Sequence, residues 1–248
     1  VNKPRLLDLF CGAGGAGRGY MDAGFVIYGV DIEPQPDYPG AFHQGDAISV
    51  LSTLMGGGSV AFTHPGGRIE HVTLADLSAI HASPPCQAST ALTKGTNKGK
   101  TYLNLIPATR ALLALHNVPT VIENVQGSDL RRDLTLCGEM FGLGVIRHRY
   151  FETSGFTAIA PEHKKHRGKV RGWRHGVLQE GPYFQVYGAG GQKGTVAEWQ
   201  VAMGIDWTKN RKSIAEAIPP SYSRFIGGQI MQYLESQAAI EALRDEVA

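Results

Sequence analysis

Residues 5–24 read RLLDLFCGAGGAGRGYMDAG, and this stretch decides the fold. Arg5 to Phe10 is a short apolar run, Cys11-Gly12-Ala13-Gly14-Gly15 is a glycine turn, and Gly17 to Gly24 reads as helix. Strand, glycine turn and helix in that order open a nucleotide-binding α/β unit. The glycines let the backbone approach a ligand closely, and the helix N-terminus favours negative charge. A plain tight turn would use the same residues, so the stretch draws its meaning from the residues downstream of it. A second strand, Val26 to Val30, ends in Asp31, about twenty residues after the turn, where such units hold a ribose hydroxyl pair. Asp46, in Gly45-Asp46-Ala47, closes a shorter third unit.

Further along, Ser59 to Val72 alternates around His64-Pro65-Gly66-Gly67 and reads as a hairpin insertion. Ala79-Ile80-His81-Ala82 reads as the end of a buried strand that runs into Pro84-Pro85-Cys86-Gln87. The two prolines keep that turn extended and remove two amide donors, so it cannot relax into helix. Ala88 to Lys100 is small, polar and basic, and reads as a mobile loop. Tyr102 to His116 is expected to be a helix with Leu105, Leu112, Leu113 and Leu115 as its apolar positions. Thr120-Val121-Ile122 is a strand leading straight into Glu123-Asn124-Val125, and Arg147-His148-Arg149 precedes another. Strands alternating with helices predict a mostly parallel sheet with functional groups at strand C-terminal ends. Asp31, Asp46, Cys86 and Glu123 all fall at such ends. Val196 to Met203 reads as a short helix, and Pro219-Pro220 breaks the chain before an amphipathic helix from Tyr222 to about Arg244.

At 248 residues, 42% hydrophobic and 19% charged, the chain suits one sizeable globular domain with at most a small appendage. A net charge of +2 requires any nucleic-acid partner to meet a local basic patch. Cys11, Cys86 and Cys137 form no CxxC pair, which argues against a disulfide framework or a zinc site and suits a reducing compartment. Asp8 lies too early for a signal peptide and no stretch has the length of a membrane span, so a cytoplasmic chain without membrane contact is expected. The basic patch is at His163 to His175, HKKHRGKVRGWRH, with six Lys/Arg and three His. Such a run is most often a solvated face; this one is interrupted by glycine and holds no acid, which favours a polyanion. No Cys or carboxylate lies among its histidines, so no metal site is expected there.

Taken in order, Asp8-Leu9-Phe10-Cys11-Gly12-Ala13-Gly14-Gly15, Pro84-Pro85-Cys86-Gln87, Glu123-Asn124-Val125 and Arg147-His148-Arg149 closely resemble the motifs of the DNA cytosine-5 methyltransferases. Ala217-Ile218-Pro219-Pro220 with Ile226-Gly227 looks like that family's last motif. The resemblance covers roughly residues 5–153 and the C-terminal helix, and the compact form is similar to the short methylases of bacterial viruses. It implies an α/β fold, a Rossmann-like S-adenosylmethionine-dependent methyltransferase sheet domain made of residues 1–153 and 213–248, with a reduced basic target-recognition segment over 154–212. Ser83 stands where the family usually has Gly, and Glu216 where it usually has Asn.

The resemblance also implies roles. Cys86 is the nucleophile that adds to carbon 6 of cytosine, making carbon 5 reactive. Glu123 meets ring nitrogen 3 as an acid, Asn124 braces Glu123, Arg149 holds the ring carbonyl, and Arg147 lies on a phosphate or supports the loop. S-adenosylmethionine is held by Phe10 on the adenine, Gly12, Ala13, Gly14 and Gly15 near the methionine, Asp31 on the ribose and Asp46 on the adenine amine. Ile32 and Ala47 wall the adenine, and Pro85 completes the site. Double-stranded DNA, from which the base must be flipped, would meet Gln87, Ser89, Lys94 and Lys98 on the loop. It would also meet Lys164, Lys165, Arg167, Arg171, Arg174, Gln192 and Lys193 in the recognition segment. With so few groups for direct base readout, a short recognition site is expected. Cys11 and Cys137 are expected only to pack, Asp8 to cap the glycine turn, and the chain to be a monomer. Two other readings stand beside this one: a cytosine-5 methyltransferase acting on tRNA or other RNA, and a non-catalytic cofactor- or DNA-binding decoy.

Overall fold

The structure, a computed structural model, describes residues 3–85, 103–174, 177–187 and 194–247. Its centre is β1 (Arg5–Leu9), whose apolar residues are fully buried because the strand is covered on both faces. Successive side chains leave the strand in opposite directions, so Leu6 enters one core and Leu7 and Leu9 the other. Burial of such a side chain stabilises the fold by about 1.5–3 kcal/mol. On one flank β1 pairs in parallel with β2 (Val26–Asp31), which pairs in parallel with β3 (Ala41–Gln44). The hairpin β4 (Ser59–Thr63) and β5 (Ile69–Thr73) extends that edge antiparallel, as its turn chemistry predicts. On the other flank come β6 (Ala79–Ala82) and β7 (Thr120–Val125), both parallel to β1.

Two more strands, β8 (Leu134–Leu136) and β9 (Arg149–Ser154), close this edge antiparallel, giving the order β5-β4-β3-β2-β1-β6-β7-β9-β8. The five middle strands β3-β2-β1-β6-β7 are parallel, in line with a mostly parallel sheet, while both outer edges are antiparallel. The chain leaves β1 outward through β2 and β3 and later returns to add β6 on the other side. That reversal opens a crevice at the carboxyl ends of β1 and β6, the usual ligand position in such sheets.

Helices α1 (Gly15–Asp22), α2 (Ala47–Met55) and α3 (Ile106–Leu113) flank the sheet, followed by α4 (Val196–Met203), α5 (Arg211–Glu216) and α6 (Pro220–Val247). Among the described residues α3 is shorter than the expected 102–116 helix. Pro107 lies in its first turn, where the missing amide costs nothing, and the Asn104 side chain accepts the Ile106 amide. Its buried residues are Ile106, Thr109 and Leu113, while Leu115 lies exposed beyond its end. Helix α1 packs tightly on α6: a β-carbon on Gly19 would stand 2.0 Å from the Pro220 carbonyl oxygen. A small third core of Val145, Val186, Trp199, Ala202, Met203, Ile205 and Ile214 organises the segment between β9 and α6. There the described strands are β10 (Gly172–Arg174) and β11 (Val177–Gln179), a two-stranded pair. Among the described residues no helix is long and apolar enough to cross a membrane.

Candidate active site

At the end of β1 the backbone turns through two left-handed residues, Phe10 (φ 57°) and Gly12 (φ 49°). A non-glycine residue there is strained, by about 1–3 kcal/mol, and persists only where its surroundings hold it. The Cys11 amide donates to the Val30 carbonyl and the Gly12 amide to Asp31 Oδ2, at 3.0 and 2.9 Å. Asp31 Oδ1 accepts the Glu33 amide, so this carboxylate locks the ends of β1 and β2 together while each oxygen keeps a second lone pair. A β-carbon on Gly12 would meet nothing within 4 Å, which leaves open space beside Asp31 and beside Ile32, whose side chain is 66% exposed.

The other glycines of the turn face protein. A β-carbon on Gly14 would stand 2.4 Å from Pro39, and one on Gly15 2.4 Å from the Ile218 carbonyl oxygen. Their small size thus serves packing, as does that of buried Ala13, whose carbonyl accepts the Trp207 indole N–H at 2.8 Å. Asp46 is the N-cap of α2, accepting the Ser49 amide at 2.8 Å; its side chain is exposed, and Ala47 behind it is buried. Asp8 is buried beneath α1 with the Tyr38 hydroxyl donating to it at 3.2 Å. Burial raises its pKa well above the ordinary carboxylate range, and its Oδ1 lacks a hydrogen-bond partner.

Across the crevice, β7 and β9 carry the second group of residues. Their antiparallel register sets Glu123 opposite Phe151 and Val125 opposite Arg149, and Arg149 Nε reaches Glu123 Oε1 at 3.0 Å. The approach is ionic but not aligned as a hydrogen bond, so Glu123 Oε1 is a buried acceptor still lacking a hydrogen bond. Burial pushes the Glu123 pKa up, against the opposing pull of Arg149, a hydrogen bond from Ser83 and the more distant Arg147. A buried oxygen in that state is uncommon in native folds and calls for an explanation. Arg149 Nη1 is also anchored on the His148 carbonyl at 3.0 Å.

Ser83 extends this group in a direction no motif signals. His81 is fully buried, with Nε2 2.9 Å from the Ser83 hydroxyl and Nδ1 3.0 Å from the Tyr20 hydroxyl. Burial pushes its pKa down to about 3, so the imidazole is neutral. With the proton on Nε2, a directional chain forms from Tyr20 through His81 and Ser83 to Glu123. Tyr20 and His81 lie 61 positions apart, and neither carries a sequence signal for this role.

Several expectations change. Asn124 braces the proline turn rather than Glu123: its Nδ2 donates to the Pro84 carbonyl at 2.8 Å. Arg147 (φ 34°) supports the loop instead of reaching outward to a phosphate, donating to the Val186 and Ala215 carbonyls at 2.9 and 2.7 Å. Arg167 pairs with Glu139 at 2.8 Å, and its amide donates to the Tyr183 hydroxyl, so it is committed to the protein. Arg171 lies over the Phe184 ring and 3.4 Å from Glu198. Lys164 and Lys165 are exposed, as is Pro85 at the mouth of the crevice. Glu216 lies at the end of α5, 4.0 Å from Lys212. Cys86, Gln87, Ser89, Lys94, Lys98, Gln192 and Lys193 lie outside the described residues, as does the Arg174 side chain.

No protein-family model matches the chain, and no curated protein matches it significantly. Solved structures do. The Schizosaccharomyces pombe Dnmt2 methyltransferase is 14% identical, with a TM-score of 0.51 over 94% of this chain and 99% of that one. The Entamoeba histolytica methyltransferase EhMeth is 12% identical, with a TM-score of 0.48 over 96% of this chain and 99% of that one. A candidate DNA modification methyltransferase encoded within an E. coli prophage is 18% identical, with a TM-score of 0.38, over 60% of this chain and 45% of that chain. The fold is therefore a Rossmann-like mixed α/β fold, shared with the Schizosaccharomyces pombe methyltransferase structure.

Proposed function

We propose that the chain is a DNA cytosine-5 methyltransferase. The observation that carries this is the buried Glu123–Arg149 pair, at 3.0 Å, standing beside the Pro84-Pro85 turn that leads to Cys86. The open space at Gly12, the Asp31 carboxylate and the exposed Ile32 fit a nucleoside cofactor, with Phe10 and Asp46 on the same rim. S-adenosylmethionine, when bound, supplies an electrophilic methyl group. Cys86 adds through its thiolate to carbon 6 of the cytosine, and the ring electrons move toward nitrogen 3 and carbon 5. Glu123, kept protonated more readily by its burial, delivers a proton at nitrogen 3. Arg149 holds the ring carbonyl oxygen and keeps Glu123 from drifting out of the crevice. With the methyl group on carbon 5, the carbon-5 proton is lost to solvent, its bonding electrons expel Cys86 as thiolate, nitrogen 3 returns its proton to Glu123, and the ring regains aromaticity.

The chain from Tyr20 through His81 to Ser83 positions the Glu123 carboxyl. Exposed Lys164 and Lys165 are suited to DNA phosphates. The test is transfer of labelled methyl to duplex DNA and, in parallel, to tRNA, with Cys86→Ser as control. Label on cytosine carbon 5 of DNA, lost in Cys86→Ser, and a covalent adduct with DNA carrying 5-fluorocytosine are the expected results. Label on tRNA alone would move the substrate to RNA, and cofactor binding without transfer to either would leave a binding protein.

A further inference from the structure

The fold brings together four metal-binding side chains that lie far apart in the sequence. Cys137 Sγ and one ring nitrogen from each of His148, His163 and His166 all lie within 4.8 Å of one another. Cys137 Sγ is 3.5 Å from His166 Nε2, and His148 Nε2 is 3.1 Å from His163 Nε2. A tetrahedral zinc ion, with bonds of about 2.0–2.1 Å to nitrogen and about 2.3 Å to sulfur, spaces its ligand atoms roughly 3.3–3.6 Å apart. Both observed distances are close to edges of that tetrahedron. We propose that Cys137, His148, His163 and His166 form a structural zinc site. This departs from the expectation of no metal here, which rested on the run His163 to His175 holding no Cys or carboxylate among its histidines.

Local structure prepares two of the ligands. Cys137 precedes the 3-10 turn Gly138–Phe141, and the Gly138 amide donates to the Ile146 carbonyl at 2.8 Å. That bond closes the loop between Cys137 and His148, so both point to one place without the metal. Gly138 cannot carry a side chain there, because a β-carbon would stand 1.9 Å from the Val145 carbonyl oxygen. The other two ligands, three positions apart, come from a segment without regular structure. Pairwise hydrogen bonds would explain one His–His or one Cys–His contact, but not the convergence of four donor atoms. One thiolate and three imidazoles, all from the protein, make a closed tetrahedral set, which suits zinc in a structural role rather than one that activates water. On binding, the Cys137 thiol gives its proton to solvent and exchanges its hydrogen bond to the Ile146 carbonyl, 3.0 Å away, for the metal.

The ion would fasten the basic segment to the sheet. His148 lies between Arg147 and Arg149, so a metal there fixes the entry to β9 and the segment carrying Lys164 and Lys165 together. A recognition segment with little regular structure gains from such a staple, as small domains generally do. Glu139 stands behind it, accepting from Arg167 and from Tyr183, whose ring also meets that of His166.

Metal content is measured on the resting protein, so the outcome is separate from the reaction proposed above. Elemental analysis of the full chain, purified without chelator, should give about one zinc per chain. Exchange with Co²⁺ should give the visible bands of a tetrahedral site together with a thiolate-to-cobalt charge-transfer band. His163→Ala removes an exposed ligand and leaves the cores untouched. It should weaken zinc binding by more than the roughly 10–100-fold lost when only an outer partner of a ligand is removed. Cys137→Ser should abolish the charge-transfer band, and if that buried substitution prevents folding, His163→Ala still decides. A folded chain with no zinc and no tetrahedral cobalt spectrum overturns the proposal, and so does an unchanged zinc affinity in His163→Ala.

Discussion

The Asn124 side chain donates to the Pro84 carbonyl across a buried gap of 2.8 Å. Its own Oδ1 accepts the following Val125 amide at 2.9 Å, which fixes the orientation of the amide group. The strand end carrying Glu123 and the Pro84-Pro85 turn are thus one mechanical unit. Asn124→Leu leaves the Pro84 carbonyl unpaired, and its expected cost is about 1–3 kcal/mol of stability. Methyl transfer should fall well before cofactor affinity does. Urea unfolding with single-turnover kinetics checks both, and equal losses of transfer and cofactor affinity would contradict this division.

In the proposed reaction Glu123 acts in its protonated form, and burial raises its pKa. Transfer should therefore decline as pH rises through that raised value. Glu123→Gln removes the titrating group; we expect a loss of about 10²–10⁴ in rate and disappearance of the alkaline limb that Glu123 produces. Rate–pH profiles of the two proteins provide the comparison. A limb that survives in Glu123→Gln belongs to another group.

His81 is neutral in the fold, with its pKa pushed down to about 3 from an ordinary value of 6.5. Above the ordinary value both folded and unfolded chains carry it uncharged, and its contribution is intact. As pH falls from there toward 3, only the unfolded chain takes up the proton, so stability is lost by up to a few kcal/mol. His81→Gln should show a shallower loss when urea midpoints are compared at about pH 7 and about pH 4.5. Parallel slopes for the two proteins would count against a neutral buried imidazole.

Two glycines separate ligand binding from packing. Gly12→Ala meets open space but a left-handed backbone, so it should fold with a cost of about 1 kcal/mol and lose cofactor affinity. Gly19→Ala would drive a methyl group into the Pro220 carbonyl and the Ser223 hydroxyl, and should be far more damaging to the melting temperature. Calorimetry with and without cofactor distinguishes the two effects.

Basic residues divide by their commitments. Lys164→Ala with Lys165→Ala should reduce the salt dependence of DNA binding by about 0.9 for each phosphate no longer neutralised. Arg167→Ala should leave that slope unchanged and lower stability, because its partner is Glu139. Binding titrations across salt concentrations test both.

The sheet was legible in the sequence because apolar runs such as Val26–Val30 and Val121–Ile122 end abruptly in Asp31 and Glu123, at or within two residues of the strand ends. The Ser59–Thr73 hairpin was legible from its Pro-Gly-Gly turn. The Tyr20–His81–Ser83 chain was not, since its members share no spacing and meet only when α1 is laid across β6. Nor was the Cys137 cluster: Cys137 and His166 stand 29 positions apart, and a basic run hides the histidines among lysines. Arg167 read as a DNA-facing cation until the fold supplied Glu139, and the choice between phosphate and loop for Arg147 was open until the fold supplied the Val186 and Ala215 carbonyls.

The packing of α1 on α6 has a consequence for how the chain comes into being. The glycine turn and first helix are made well before the neighbours that pack on them, Trp207, Ile218 and Pro220, Trp207 being 194 positions after Ala13. During synthesis, Tyr20 and the Leu6 face of β1 must wait with one side bare, and closure of the first βα unit is a late, long-range event. Contacts of such sequence separation slow folding and expose apolar surface meanwhile. The βα unit that opens the sheet is thus completed only by the helix that begins at Pro220.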